Sequence, residues 1–212
     1  MSKSHKAIAA NRSLVNDMLS IDHLYDRLAS ASGEEWAEGL AWYDTAYGIA
    51  ESLGHEHNLP TDIAAGIIAA TSPQNAWDIN VRHARDLCAN PNSLKDFGLG
   101  LGSNRAKYLF HHPHLDPLTV LGGPKVRSFY RNIAEPWTPG PVTIDRHAIA
   151  ILANRVTARW LEDHPKFLER STIYRQCTAF YRTAARAYNI LPHQAQAVAW
   201  VSHRNANFIE GF

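Results

Sequence analysis

Cysteine is nearly absent. Cys88 and Cys177 are the only two in 212 residues, too few for a disulfide framework or a cysteine-based metal cluster. Long apolar runs are missing as well: none approaches the about 20 residues that a membrane-spanning helix needs, and no secretory apolar region follows the start. Charge of one sign is not in excess, since 21 Lys and Arg stand against 20 Asp and Glu for a net charge of +1. A nucleic-acid binder of that charge must gather its cations on one face. Period-two alternation and internal repeats are both lacking, which argues against β-sandwiches, barrels and solenoids. Together these absences exclude secreted disulfide scaffolds, membrane proteins and uniformly basic proteins, and they make the cytoplasm the expected compartment.

What is present suits an ordinary globular chain: 45% of residues are hydrophobic and 19% charged. The length allows one large domain, or two small lobes with a cleft between them. The twelve histidines are unusual. His55 and His57 lie close together, as do His111, His112 and His114. Neither group has Cys or carboxylate partners at a helical spacing that closes a coordination shell, so both read as solvated loop histidines, and no metal or cofactor is expected.

Residues 1–10 are small and polar and read as frayed. Leu14, Met18, Ile21, Tyr25 and Leu28 then recur at helical spacing. SASGEE reads as a break with capping character. Trp36, Leu40, Tyr43, Tyr47 and Ala50 form a second stripe, with its aromatics read as core. Gly54–Pro60 reads as a loop, and Thr61 as the cap of an apolar, buried helix TDIAAGIIAA. That helix ends at TSPQN, where Pro73 disfavours helix at Ser72. Trp77, Val81, Ala84 and Cys88 make the next stripe, with Arg82 and Arg85 pointing away. GLGLGSNRAKYLF leads into a short helix capped by Ser103 or Asn104. A helix over 145–160 carries Ala148, Ile151, Leu152 and Val156 inward. Ile173, Cys177, Phe180, Ala184 and Tyr188 mark another, and Pro192 suits the first turn of the last. The expected fold is all-α: a compact bundle of roughly eight to ten short helices within a single domain, 1–212.

The chain is organised around residues 119–150. A Gly122-Gly123 turn leads into an amphipathic helix with Lys125 near its start, and after a Pro/Gly loop Asp145 opens another helix. Taken alone, the pair reads as a surface lysine and an N-cap aspartate. A lysine amine is also a nucleophile, and a carboxylate beside it can activate it or stabilise positive charge developing on a sugar. The chemical reading requires both groups to share one solvent-open pocket rimmed by cations.

Three segments, in order, resemble the helix-hairpin-helix DNA glycosylases of the endonuclease III type. AATSPQNAWDINVRHA is similar to that family's LSxQ segment and the helix after it. GLGSNRAKYL looks like its glycine-led helix start. LGGPKV with VTIDRHAIAIL resembles its hairpin LPGVGxKTA followed by VDTHVxR. The likeness covers about residues 36–160. The patterns SPQxxWxxN, GPKxxxFxxN, VTIDRHA and PxxxQAxxW also look like those of small glycosylase-like proteins encoded by bacteriophages. Two departures stand out: the hairpin is two residues shorter, and the iron–sulfur cysteines are missing.

The resemblance implies a helix-hairpin-helix fold, DNA as partner and base flipping. It places Lys125 on the Schiff-base lysine of bifunctional members and Asp145 on the family aspartate. Gln74 falls on the residue that fills the gap left by a flipped nucleotide, with Asn75 beside it; capping of the next helix near Asn75 is the competing role. His147 falls on a histidine that is usually structural. Arg105, Lys107, Arg127 and the Gly122-Gly123 backbone are phosphate-contact candidates, with Arg82 and Arg131 behind them. Arg127 and Arg146 are cations expected to make Lys125 easier to deprotonate. Gln196 and Trp200 could face the base, with Trp200 better read as core. Three functions follow: base excision with Lys125 attacking C1′; transfer onto an activated hydroxymethyl pyrimidine in phage DNA, within a host cytoplasm; or DNA binding without chemistry.

Overall fold

The computed structural model describes residues 19–92, 100–153 and 171–209, and every regular element among them is a helix. In chain order these are α1 Ile21–Ser30, α2 Gly33–His57, α3 Thr61–Ala70, α4 Trp77–Ala89, α5 Leu101–His111, α6 Pro117–Val120, α7 Pro124–Ala134, α8 Arg146–Ala153, α9 Ser171–Tyr188 and α10 Pro192–Ile209. No described helix is long and apolar enough to cross a membrane. The chain divides into two units, Met1–Ala41 with Ile144–Phe212, and Trp42–Thr143. The leading stripe positions Leu14 and Met18, Val156 of the α8 stripe and the frayed start expected over 1–10 lie outside the described residues.

In the first unit the caps follow the sequence closely. Ser20 caps α1 by accepting from the Asp22 amide at 3.1 Å. SASGEE closes into a reciprocal capping box: the Glu35 amide donates to Ser32 Oγ at 3.2 Å, and the Ser32 amide donates to Glu35 Oε2 at 2.9 Å. Pro192 opens α10, and Gln194 Oε1 accepts from the Leu191 amide at 3.0 Å. The centre of this unit is α8, buried from Ala148 to Ala153, with α1, α9 and α10 packed around it. Polar bonds hold it there. Tyr181 Oη donates to Ala148 O at 3.1 Å, and the Ser20 amide donates to Leu152 O at 3.0 Å. On α1, Leu24 and Leu28 are the buried pair; Leu24 lies off the stripe expected there.

The second unit is built on α3. All residues from Ile63 to Ala70 are buried, which fits the absence of a polar face in its sequence. Helices α4, α5, α6 and α7 pack against it. Burying an isoleucine contributes roughly 1.5–3 kcal/mol, so Ile63, Ile67 and Ile68, none of them exposed, dominate this core.

Three expectations are corrected here. The loop expected over Gly54–Pro60 begins later, because α2 runs on to His57. Asn58 then takes a left-handed φ of 55° and the Leu59 amide donates to Gly54 O at 2.9 Å, so asparagine terminates the helix, not the glycine. His55 and His57 consequently lie in the last turn of α2. Thr61 is the first residue of α3 and not its cap; Pro60 holds the N-cap place with no side-chain bond. Gly100, at φ 50°, caps α5, so Ser103 and Asn104 lie inside that helix.

Candidate functional site

The two predicted chemical residues fall in different units: Lys125 in Trp42–Thr143, Asp145 in Ile144–Phe212.

Lys125 is placed by the turn that starts α7. Gly122 lies against the Arg105 guanidinium so closely that a Cβ there would come within 2.5 Å of Nη2. Only glycine lets that guanidinium cover the turn. Gly123 follows with φ 76° as N-cap, and Pro124 takes the first helical position, where its missing N–H costs nothing. Lys125 is the next residue and is half-buried. Its ammonium or amine donates to Ser72 Oγ at 2.8 Å and lies 5.2 Å from the centroid of Phe129, one turn further along α7. Arg127 and Arg131 are exposed on the same helix, and Arg127 Nη1 reaches Leu121 O at 3.4 Å. Lys107 is half-buried on α5, the helix that carries Arg105.

Ser72 belongs to TSPQN, the break after α3. Thr71 lies 2.7 Å from Asn80 Oδ1. Asn75 Nδ2 donates to Thr71 O at 2.8 Å and lies 3.3 Å from His83 Nδ1. These bonds tie the break to α4. They also correct the capping role considered for Asn75: the N-cap of α4 is Ala76, with no side-chain bond. Gln74 stands exposed at φ 63°, a left-handed conformation that side chains bearing a Cβ disfavour.

Behind Lys125 stands a group of aromatic rings. Phe129 is buried, with its centroid 6.2 Å from Trp77 and 6.0 Å from Trp42. Trp42 and Trp77 lie 4.8 Å apart, and both are partly exposed. The two sequence patterns therefore interlock: serine of SPQxxWxxN meets lysine of GPKxxxFxxN, and tryptophan of the first meets phenylalanine of the second. In the sequence Trp77 reads only as part of a helical stripe, and Ser72, Trp42 and Phe129 carry no assigned role. The one-turn step from Lys125 to Phe129 is legible there, but the partnership with Ser72 spans 53 positions.

In the first unit Asp145 is the N-cap of α8. Its Oδ1 accepts from the Ala148 amide at 2.8 Å, and its carbonyl accepts from the Ile149 amide at 3.1 Å. Arg146 Nε donates to His147 Nε2 at 3.3 Å. The His147 ring lies 6.0 Å from His203. Burial, reinforced by His147 and Arg27 and opposed by Asp145, pushes His203 down to about 4, so His203 is neutral near pH 7. Gln196 is buried on α10. Trp200, one turn on, is partly exposed and not core as expected; Arg204 stacks over it at 4.9 Å.

Both cysteines are free and buried, and burial pushes each thiol up to about 12. They are structural side chains, not nucleophiles. Lys125, by contrast, is a half-buried residue whose amine is set against a hydroxyl and an aromatic ring. Fold and site together define an all-helical protein with a lysine-centred candidate site. The chain belongs to a family of unknown function (DUF7178), whose model matches residues 6–207. No curated protein and no solved structure matches the chain.

Proposed function

We propose that this protein processes bases in DNA, flipping a nucleotide out of the helix and using Lys125 as an amine nucleophile at the sugar carbon that bears the base. One observation carries the reading: the amine of a half-buried lysine held 2.8 Å from Ser72 Oγ, near an aromatic group with two partly exposed tryptophans. A lysine serving only solubility has no need of such a setting. The resemblance to helix-hairpin-helix glycosylases points the same way.

The surroundings suit the task. Extruding a nucleotide costs a few kcal/mol, and stacking a base on an aromatic face returns roughly 1–3 kcal/mol. Trp42 and Trp77 offer such faces. Gln74, exposed on its left-handed turn, suits the gap left in the duplex. Arg105, Lys107, Arg127 and the Gly122-Gly123 turn suit the phosphates, a footprint narrow enough for a chain of net charge +1. In the reaction Nζ bonds to C1′ while the C1′–N bond breaks, its electron pair and a proton leaving with the base. Nζ gives up two protons, one to the departing base and one to O4′ as the C1′–O4′ bond opens, and an imine remains. The family resemblance, and not the geometry, implies for Asp145 the electrostatic support of positive charge on the sugar.

An abasic site presents the same carbon as an aldehyde and makes the test independent of the base. Wild-type protein, a duplex with one abasic site and borohydride should give a covalent adduct that Lys125→Ala does not form. No wild-type adduct, or an equal one from Lys125→Ala, contradicts the proposal. Conversion confined to DNA bearing phosphorylated hydroxymethyl pyrimidines would replace excision by group transfer. Equal DNA binding by both proteins with no change in any base would leave a binding module.

A further inference from the structure

We propose that Ser72 is the positioning residue for the Lys125 amine, a fixed hydrogen-bond acceptor that sets the direction in which the amine attacks. The inference rests on reading Lys125 as a nucleophile.

The argument begins with a count of protons. Ser72 Oγ has one hydrogen and two lone pairs. It lies 2.9 Å from Ala69 O, and a carbonyl oxygen cannot donate, so the hydroxyl proton belongs to that bond. Only lone pairs remain for Lys125 Nζ at 2.8 Å. Toward Lys125 the hydroxyl is therefore purely an acceptor. A neutral amine that donates one N–H to Ser72 directs its own lone pair away from Ser72. A hydroxyl that donated instead would occupy that lone pair and quench the nucleophile. The same count argues against the opposite pairing, a serine nucleophile activated by lysine: the serine proton is not on the lysine side, and Ser72 is only 6% exposed.

The rest of the break makes this acceptor rigid. Ser72 is anchored through its hydroxyl to Ala69 O and through its own amide to the same carbonyl at 3.3 Å, and its carbonyl accepts from the Asn75 amide at 3.4 Å. Asn75 in turn is bonded to Thr71 O. Pro73 disfavours helix at Ser72 itself, so the serine stays just past the end of α3, where it meets Lys125 at the start of α7. Preorganisation of this kind lowers the cost of orienting a reacting group.

Two consequences distinguish positioning from packing. An acceptor favours the ammonium over the amine, so its removal should move the pH midpoint of amine reactivity downward. Its removal should also lower the limiting rate at high pH, by about tenfold for a modest loss of orientation. Packing alone predicts neither change together with an intact fold.

The test uses formaldehyde and cyanoborohydride with the full-length protein. Nζ attacks the aldehyde carbon, water leaves, and hydride from the reagent reduces the iminium to a methylated amine. Methylation of Lys125, read by peptide mass spectrometry across pH, needs no DNA, so its outcome is separate from that of abasic-site trapping. Ser72→Ala should show the lower limiting rate and the downward midpoint, and Ser72→Thr, which keeps a hydroxyl, should restore the midpoint. If Ser72→Ala does not fold, Ser72→Cys, a poor acceptor of similar size, is read in its place with the same expectation. A midpoint identical to wild type in the hydroxyl-free variant, or a downward shift that Ser72→Thr shares in full, overturns the proposal. A normal Ser72 response with no abasic-site adduct would leave the positioning intact and remove the DNA chemistry.

Discussion

The Lys125 and Asp145 sites are built on opposite principles. Asp145 spends its carboxylate on its own helix, capping the Ala148 amide three residues on, and its neighbour Arg146 bonds the next residue, His147. Lys125 reaches Ser72 across 53 positions and a second loop. The first arrangement would form in almost any helix beginning Asp-Arg-His. The second exists only when TSPQN and GGPK are brought together by packing α7 against α3. Local bonding stabilises an element and needs no further purpose. A long-range polar contact on a half-buried lysine costs side-chain entropy and desolvation, and that cost is the stronger sign of a selected site.

The comparison can be broken first at Lys125. Lys125→Ala and Lys125→Arg should both abolish trapping on abasic DNA, although arginine keeps the charge. An arginine variant with wild-type trapping would show that only the charge matters.

Asp145 comes next, because capping and chemistry separate there. Asparagine caps about as well as aspartate, so Asp145→Asn should change stability by only a few tenths of a kcal/mol while slowing the reaction by about 10²-fold. Asp145→Ala should lose about 1 kcal/mol in addition. Urea unfolding and trapping rates, measured side by side, decide this. Unchanged trapping in Asp145→Asn reduces the residue to a cap.

His203 sharpens the description of the first unit. Its folded value near 4 lies below the usual 6.5. Above pH 6.5 both states are neutral and nothing is gained or lost. Between about 6.5 and 4 the unfolded chain binds a proton that the folded chain refuses, so stability falls on acidification, by at most about 3 kcal/mol and by less for a partly exposed ring. His203→Gln should flatten that limb of a urea-unfolding series. An unaltered acid limb would mean that other groups set it.

The smallest effect is expected at Gln74. Gln74→Gly relieves the left-handed backbone and should stabilise the fold by up to about 1 kcal/mol, while weakening binding to a duplex with a flipped or missing base. Stabilisation together with unchanged binding would remove the wedge role and leave a strained turn.

Much of the helical layout is legible because local rules govern it: the capping character of SASGEE, the proline-marked TSPQN break, Pro192 at a first turn, and the largely apolar α3. The end of α2 was misread because glycine is a weak stop when Asn58, four residues later, supplies a better one. The caps of α3 and α5 were misplaced by one to four residues for a similar reason: Pro60 and Gly100 set the backbone without needing a side-chain bond. At the candidate site, the glycine turn and Lys125 could be read in sequence. The partnership of Ser72 with Lys125 could not, since the serine is only a letter of SPQxxWxxN until a segment 53 positions away packs against it. Trp77 and Phe129 were visible as letters of two patterns, but their contact belongs to tertiary packing.

The most direct measurement is the location of the bond itself. Borohydride-trapped protein and abasic DNA would be digested with nuclease and protease, and the sugar remnant mapped by tandem mass spectrometry. The account predicts the remnant on the peptide containing Gly123-Pro124-Lys125, attached to the Lys125 amine. A remnant on any other amine, with Lys125 unmodified, would contradict it.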